Sequence, residues 1–207
     1  EAPDEALSDS GDTYVVDANG GDGTYNSISA AVSAATGGET ILIKNGEYSV
    51  GSTITFDKSV NLVGESQDGV KIKSTMTSSE LFMGSADGLV LSFNNLTIFD
   101  SSKTGGTGIL RFTGVKAMDI DFINCTFDNI ANKYGVMQLA STGTVNIDCC
   151  TFSNINCTAS NGAGGISASD GGSINIRNTV FDNVRYTAAS GQVGAVVFMN
   201  KASIVLT

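Results

Sequence analysis

The sequence predicts an all-β chain wound as a right-handed parallel β-helix, three short strands per coil, behind an N-terminal capping helix. Three observations carry this expectation: a recurring eleven-residue pattern, period-two alternation of apolar residues within it, and a turn-rich composition. Residues 120–130, 145–155 and 174–184 are copies of one another, and fainter copies begin at 91 and 60. The starts at 60, 91, 120, 145 and 174 are separated by 31, 29, 25 and 29 residues. Self-similarity at such a period marks a solenoid or propeller, and the unit is too short for a four-stranded blade.

Positions 1 and 3 of each copy are apolar: Ile120 and Phe122, Val145 and Ile147, Ile174 and Ile176. Positions 2 and 4 are mostly polar, so this is a half-buried strand. Position 5 reads Gly64, Asn95, Asn124, Cys149, Asn178. Asn and Gly tolerate left-handed backbone, which predicts a tight turn. Apolar positions 6 and 8 then begin a second strand, with Cys125 and Phe127, Cys150 and Phe152, Thr179 and Phe181. Position 10 repeats Asn at 129, 154 and 183. A third strand follows Gly108, Gly135, Gly165 and Gly194, which step by 27, 30 and 29 residues. Stacking such coils about 4.8 Å apart pairs every strand with its counterpart in parallel. Phe127, Phe152 and Phe181 should then form an internal ladder, and the position-5 Asn residues a ladder at the turn. Right-handedness follows the general preference of parallel crossovers.

Residues 1–12 read as a frayed acidic segment, residues 13–50 as the cap, and residues 51–207 as coils. Ile28, Ala31, Val32 and Ala35 share one helical face, predicting a helix over about 25–36 that ends at Gly37 and Gly38. A cap is required because a solenoid end exposes apolar residues and strand edges. The last segment, 203–207, is in phase with position 1 of a further copy. This suggests a continuing coil, or self-association through an uncapped C-terminal coil.

The 207 residues carry 25 Gly, one Pro, 21 acidic and 11 basic side chains, for a net charge of −10. One domain is expected. With no basic run, nucleic acid is not an expected partner, and no apolar stretch predicts membrane insertion. The absence of His excludes a Cys-His nucleophile or a His-ligated metal. Cys125 and Cys150 occupy one position in adjacent coils; buried thiols are the favoured state, a disulfide between them the alternative.

The string DANGGDGTYNSISAAV at 17–32, ILIKNGEY at 41–48 and VNLVGE at 60–65 resembles the opening of pectin-lyase-like right-handed β-helix proteins. With the downstream repeats the resemblance covers nearly the whole chain. It implies the fold, but that superfamily spans lyases, hydrolases, esterases, tailspikes and adhesins, so it implies no single activity. The Asn-, Gly-, Ser- and Thr-rich repeats are similar to adhesin-like surface proteins of archaea and bacteria. That likeness implies a non-enzymatic extracellular surface module, a stalk or binding domain with a glycan or cell-surface protein as ligand. The alternative is a carbohydrate-active enzyme, lyase or pectinesterase-like, acting on a uronate-type polysaccharide.

Catalytic signatures are sparse. The Gln-Asp-Thr signature of the esterases is absent, and Gln67-Asp68 lies outside the expected context. Asp128 and Asp182 sit two coils apart, too far to share one ion. Asp148 and Arg177, on adjacent coils, read as a surface ion pair. Asp17, Asn19 and Asp22 faintly suggest a calcium loop, but the spacing departs from an EF-hand and a glycine-rich turn is favoured. Asn156-Cys157-Thr158 is a candidate glycosylation sequon in a loop. Loop insertions in repeat proteins gather on one face, often the binding face. Lys133, Tyr134, Arg185 and Tyr186 are therefore the candidate ligand-binding residues.

Overall fold

The computed structural model describes residues 12–20, 25–84, 86–101, 108–158, 162–187, 193–194 and 196–207. It is a right-handed parallel β-solenoid of about six turns with three sheets. The first sheet has eight strands: Thr13–Val16, Thr40–Ile43, Val60–Gly64, Leu89–Asn94, Met118–Ile123, Thr144–Asp148, Ser173–Arg177 and Ser203–Leu206. The second, beyond the Asn turn, runs from Gly46–Val50 to Val180–Tyr186 in six strands. The third runs from Ile54–Phe56 to Val197–Asn200, also in six strands. All recorded pairings are parallel. The register matches repeat position to repeat position, as in Ile120↔Val145, Phe127↔Phe152 and Asp148↔Arg177.

Stacking fixes the core. Phe127 and Phe152 lie 4.7 Å apart between ring centroids, and Phe152 and Phe181 4.8 Å, both pairs stacked. A parallel ladder joins Phe93 to Phe122 at 4.9 Å. Period-two burial in the repeats follows directly: Met118, Ile120 and Phe122 face inward, while Asp119, Asp121 and Ile123 face outward. Cys125 and Cys150 are free, buried thiols, and the Cys125 N–H points at Cys150 Sγ at 3.4 Å. Contact with Cys150, then burial, pushes the Cys125 thiol well above its ordinary range, so it acts as a small apolar filler.

The position-5 turns are left-handed at Asn95, Asn124, Cys149 and Asn178, with φ of 54°, 53°, 53° and 48°. Gly64 differs from this expectation. It is the last residue of its strand, and a Cβ there would lie 2.0 Å from the Asn95 carbonyl oxygen. Glycine is required there because the next coil's backbone presses on it. Position 10 forms a second left-handed ladder, Asn129, Asn154 and Asn183, with φ of 50°, 53° and 53°. The register of the second sheet skips these residues, pairing Asp128 with Ser153 and then Ile130 with Ile155. Each is thus a left-handed bend that recurs at the same register in three successive coils.

The helix is shorter than expected, Ile28–Ala34. Tyr25 instead bridges Val16 in extended conformation, and Ser27 caps the helix by accepting the Ala30 N–H. Ala35 is already extended. Ile28, Ala31, Val32 and Ala35 are all buried, so the predicted face closes the first coil. Buried Glu39 fixes the helix exit. Its two oxygens accept the Thr36 N–H and hydroxyl and the Gly37 N–H at 2.5–2.8 Å. Residues 1–11, expected to fray, lie outside the described residues. At the other end Val205 and Leu206 are 53% and 66% exposed along the last strand of the first sheet.

Candidate functional site

The outer face of the third sheet carries an open groove of about 540 Å³. Its floor is made by one outward position in three consecutive coils, since Arg111 pairs with Gln138 and Gln138 with Ser167. Thr113, Ala140 and Ser169, two residues further along each strand, widen it, and Tyr134 lines its edge. The strands place these side chains in a row because alternate residues point outward and the coils stack in register.

Arg111 is held by Glu80 across the coils, Nη1 to Oε1 at 3.4 Å, with the Glu80 side chain only 14% exposed. Gln138 Oε1 accepts the Gly108 N–H at 3.1 Å, so the amide turns its donor end outward. Ser169 donates its hydroxyl to Asp170 at 2.7 Å. Tyr134 is fixed by Asn132, which is 1% exposed. The Asn132 side chain accepts the Tyr134 N–H at 3.3 Å and donates to the Gly135 carbonyl at 2.8 Å. Gly135 has φ +80°, and a Cβ there would lie 1.9 Å from the Ala163 oxygen. Only glycine permits this tight turn beneath the tyrosine. Among the residues lining the groove, Arg111 and Tyr134 alone are titratable.

The four candidate residues do not share one concavity. Tyr134 lines the groove, and the Lys133 ammonium lies 5.6 Å from the Tyr134 ring centroid. Arg185 lines a separate shallow hollow of about 150 Å³ on the second sheet, with Asn154, Asn156, Asn183 and Thr187. Tyr186, its strand neighbour, stacks in register on Cys157. The sequence reasoning missed Arg111, Gln138 and Ser167. Their common register was the available signal.

Other sequence candidates have structural roles. Arg177 Nε lies 3.9 Å from Asp148 Oδ2 across adjacent coils. Asn178 donates to Asp148 Oδ1 at 3.0 Å; this contact is the main influence lowering the Asp148 pKa. Asp128 accepts from Ser153 and Asn154, and Gln67 donates to Thr126. Asn156 sits on the strand Thr151–Cys157 rather than in a loop, and its side-chain oxygen accepts the Thr187 hydroxyl at 3.0 Å. Asp17 accepts the Asn19 N–H at 2.8 Å in a local turn, while Asp22 lies outside the described residues. Among the described residues no three Cys, Asp or Glu side chains group to hold a metal ion. No described helix is long and apolar enough to cross a membrane.

No protein-family profile matches the sequence, and no curated protein sequence matches it. Solved structures do match the fold. The chain is similar to the pectin methylesterase PemA from Erwinia chrysanthemi, with TM-score 0.51 and 17% identity. That match covers 79% of this chain and 55% of the esterase, so the chain spans little over half of that enzyme's length. It is also similar to Escherichia coli ybhc, with TM-score 0.55 and 13% identity, over 99% of this chain and 74% of that protein. At these identities the likeness establishes the pectin-lyase-like fold.

Proposed function

We propose that the chain is a glycan-binding β-helix module of an extracellular or cell-surface protein, adhesin-like in its role. The observation that carries this reading is the row formed by Arg111, Gln138 and Ser167, flanked by Thr113, Ser169 and Tyr134. A sugar chain presents hydroxyls at regular spacing and an apolar ring face. A rigid row of donors beside a tyrosine suits both features. Rigid side chains on a solenoid lose little entropy on binding.

A second reading, a carbohydrate-active enzyme, draws on the fold shared with the Erwinia chrysanthemi esterase. Acid–base chemistry on a glycosidic or ester bond calls for positioned proton donors and acceptors, commonly a carboxyl pair. No carboxylate lines this groove among the described residues; Glu80 is tied to Arg111, and Asp170 accepts the Ser169 hydroxyl.

Binding of a panel of polysaccharides to immobilised protein tests the proposal, alongside assays for released methanol and new reducing ends. Saturable binding lost in Arg111→Ala and Tyr134→Ala, without turnover, is the expected result. Turnover abolished by Arg111→Ala would replace the module with an enzyme. Absence of any glycan binding would remove both readings.

A further inference from the structure

Resting on the glycan-binding reading, we infer that the groove selects an uncharged polysaccharide and discriminates against polyuronates. The selector is the Arg111–Glu80 pair. An unpartnered arginine at the floor of a groove would capture a sugar carboxylate by a two-pronged, charge-assisted bond. Here the guanidinium already faces a carboxylate at 3.4 Å, and that carboxylate is largely covered, so the pair is a lasting part of the floor. At one end of the strands the Lys133 ammonium is engaged by the Tyr134 ring, 5.6 Å from its centroid, and at the other end Asp170 accepts the Ser169 hydroxyl. The chain as a whole carries ten excess negative charges, which slows the approach of any polyanion.

What remains for a ligand is neutral hydrogen bonding and stacking. Arg111 keeps donors that a single Glu80 oxygen cannot occupy. Gln138 presents its amide donors because its oxygen is taken by Gly108. Ser167 and Thr113 add hydroxyls that donate or accept, and Tyr134 supplies an aromatic face. Vicinal sugar hydroxyls match this set, and no carboxylate is needed.

Calorimetry with neutral hexasaccharides of galactose, xylose, glucose and mannose, and with hexamers of galacturonate and mannuronate, tests the inference at low and physiological ionic strength. The expected result is binding of a neutral hexamer with affinity nearly independent of salt, and binding of its acidic counterpart at least about tenfold weaker. Glu80→Gln should narrow that gap by exposing an uncompensated Arg111, and the gain should vanish at high salt. Preference of the unaltered protein for a uronate hexamer would overturn this inference while leaving a glycan-binding module intact. Failure of every hexamer and of every polysaccharide would overturn the module itself. Because the comparison among ligands uses the unaltered protein, it holds even if Glu80→Gln folds poorly.

Discussion

Asn124 donates its side-chain amide to Asn95 Oδ1, one coil away, at 2.7 Å, and both backbones are left-handed at φ 53° and 54°. The pair shows why asparagine recurs at the turn. One residue supplies tolerance of the left-handed region and a rung that links the coils. The next rung is missing, because Cys149 holds the same conformation with a side chain that cannot pass the hydrogen bond on. Cys149→Asn should therefore stabilise the protein by about 0.5–1 kcal/mol through relieved backbone cost and a restored rung. For a chain of this size that is a rise of about 1–4 °C in Tm, read by thermal unfolding. An unchanged or lower Tm would count against the ladder as a source of stability.

The aromatic ladder should matter more. Phe152 is fully buried and stacked on both sides, at 4.7 and 4.8 Å. Truncation to Ala opens a cavity that the stacked backbone cannot close, at a cost of about 3–5 kcal/mol. Phe152→Leu keeps most of the volume and should cost less than half as much. Urea unfolding monitored by far-UV circular dichroism measures both. Equal losses in the two variants would mean that ring stacking, rather than volume, sets the cost.

The cap should titrate in acid. Burial alone pushes the Glu39 carboxyl up, but hydrogen bonds from the Thr36 hydroxyl, the Thr36 N–H and the Gly37 N–H reverse this and hold its pKa at about 2, below the ordinary 4.5. A folded value below the unfolded one gives stability that is complete above about 4.5. That contribution is lost as pH falls from there towards about 2. Glu39→Gln should destabilise the fold by about 2 kcal/mol at neutral pH, since a neutral amide has one oxygen for donors that now share two. The gap between variant and parent should shrink as pH falls. A gap independent of pH would show that shape, not charge, is what Glu39 supplies.

The repeat chemistry made the coil legible before the coordinates. Phe127, Phe152 and Phe181 could only stack if position 8 faced inward in every coil, and Asn95, Asn124 and Asn178 could only recur if the turn was left-handed. The cap was legible in its buried face, Ile28, Ala31, Val32 and Ala35. Its start is not, because Tyr25 and Asn26 carry no signal against helix, and it is the bridge from Tyr25 to Val16 that keeps Tyr25 out of it. Gly64 reads as a turn in the sequence because glycine serves both left-handed backbone and close approach, and sequence does not tell these apart. The groove was half legible. Tyr134 stands out in a segment of variable length, but Arg111 and Gln138 are ordinary outward strand residues. They become a site only when register aligns them across coils whose lengths vary by several residues.

The turn beneath Tyr134 rests on one asparagine. Asn132 is almost wholly buried and serves two masters, accepting the Tyr134 N–H and donating to the Gly135 carbonyl. Asn132→Ala removes both bonds and leaves buried polar groups unmatched, a cost of about 1–3 kcal/mol. Asn132→Asp keeps the acceptor for Tyr134 but sets a carboxylate against the Gly135 oxygen, where two acceptors repel. Neither change removes a group that lines the groove. Both should nevertheless weaken glycan binding, because the tyrosine's position depends on this turn and a loosely held ring must be ordered on binding. Tyr134→Phe keeps the ring and the turn and should retain most of the affinity. Binding isotherms beside thermal unfolding separate the effects. If Asn132→Asp lowers Tm but leaves affinity untouched well below its melting point, Tyr134 is positioned by its ring contacts instead of by the Asn132 turn.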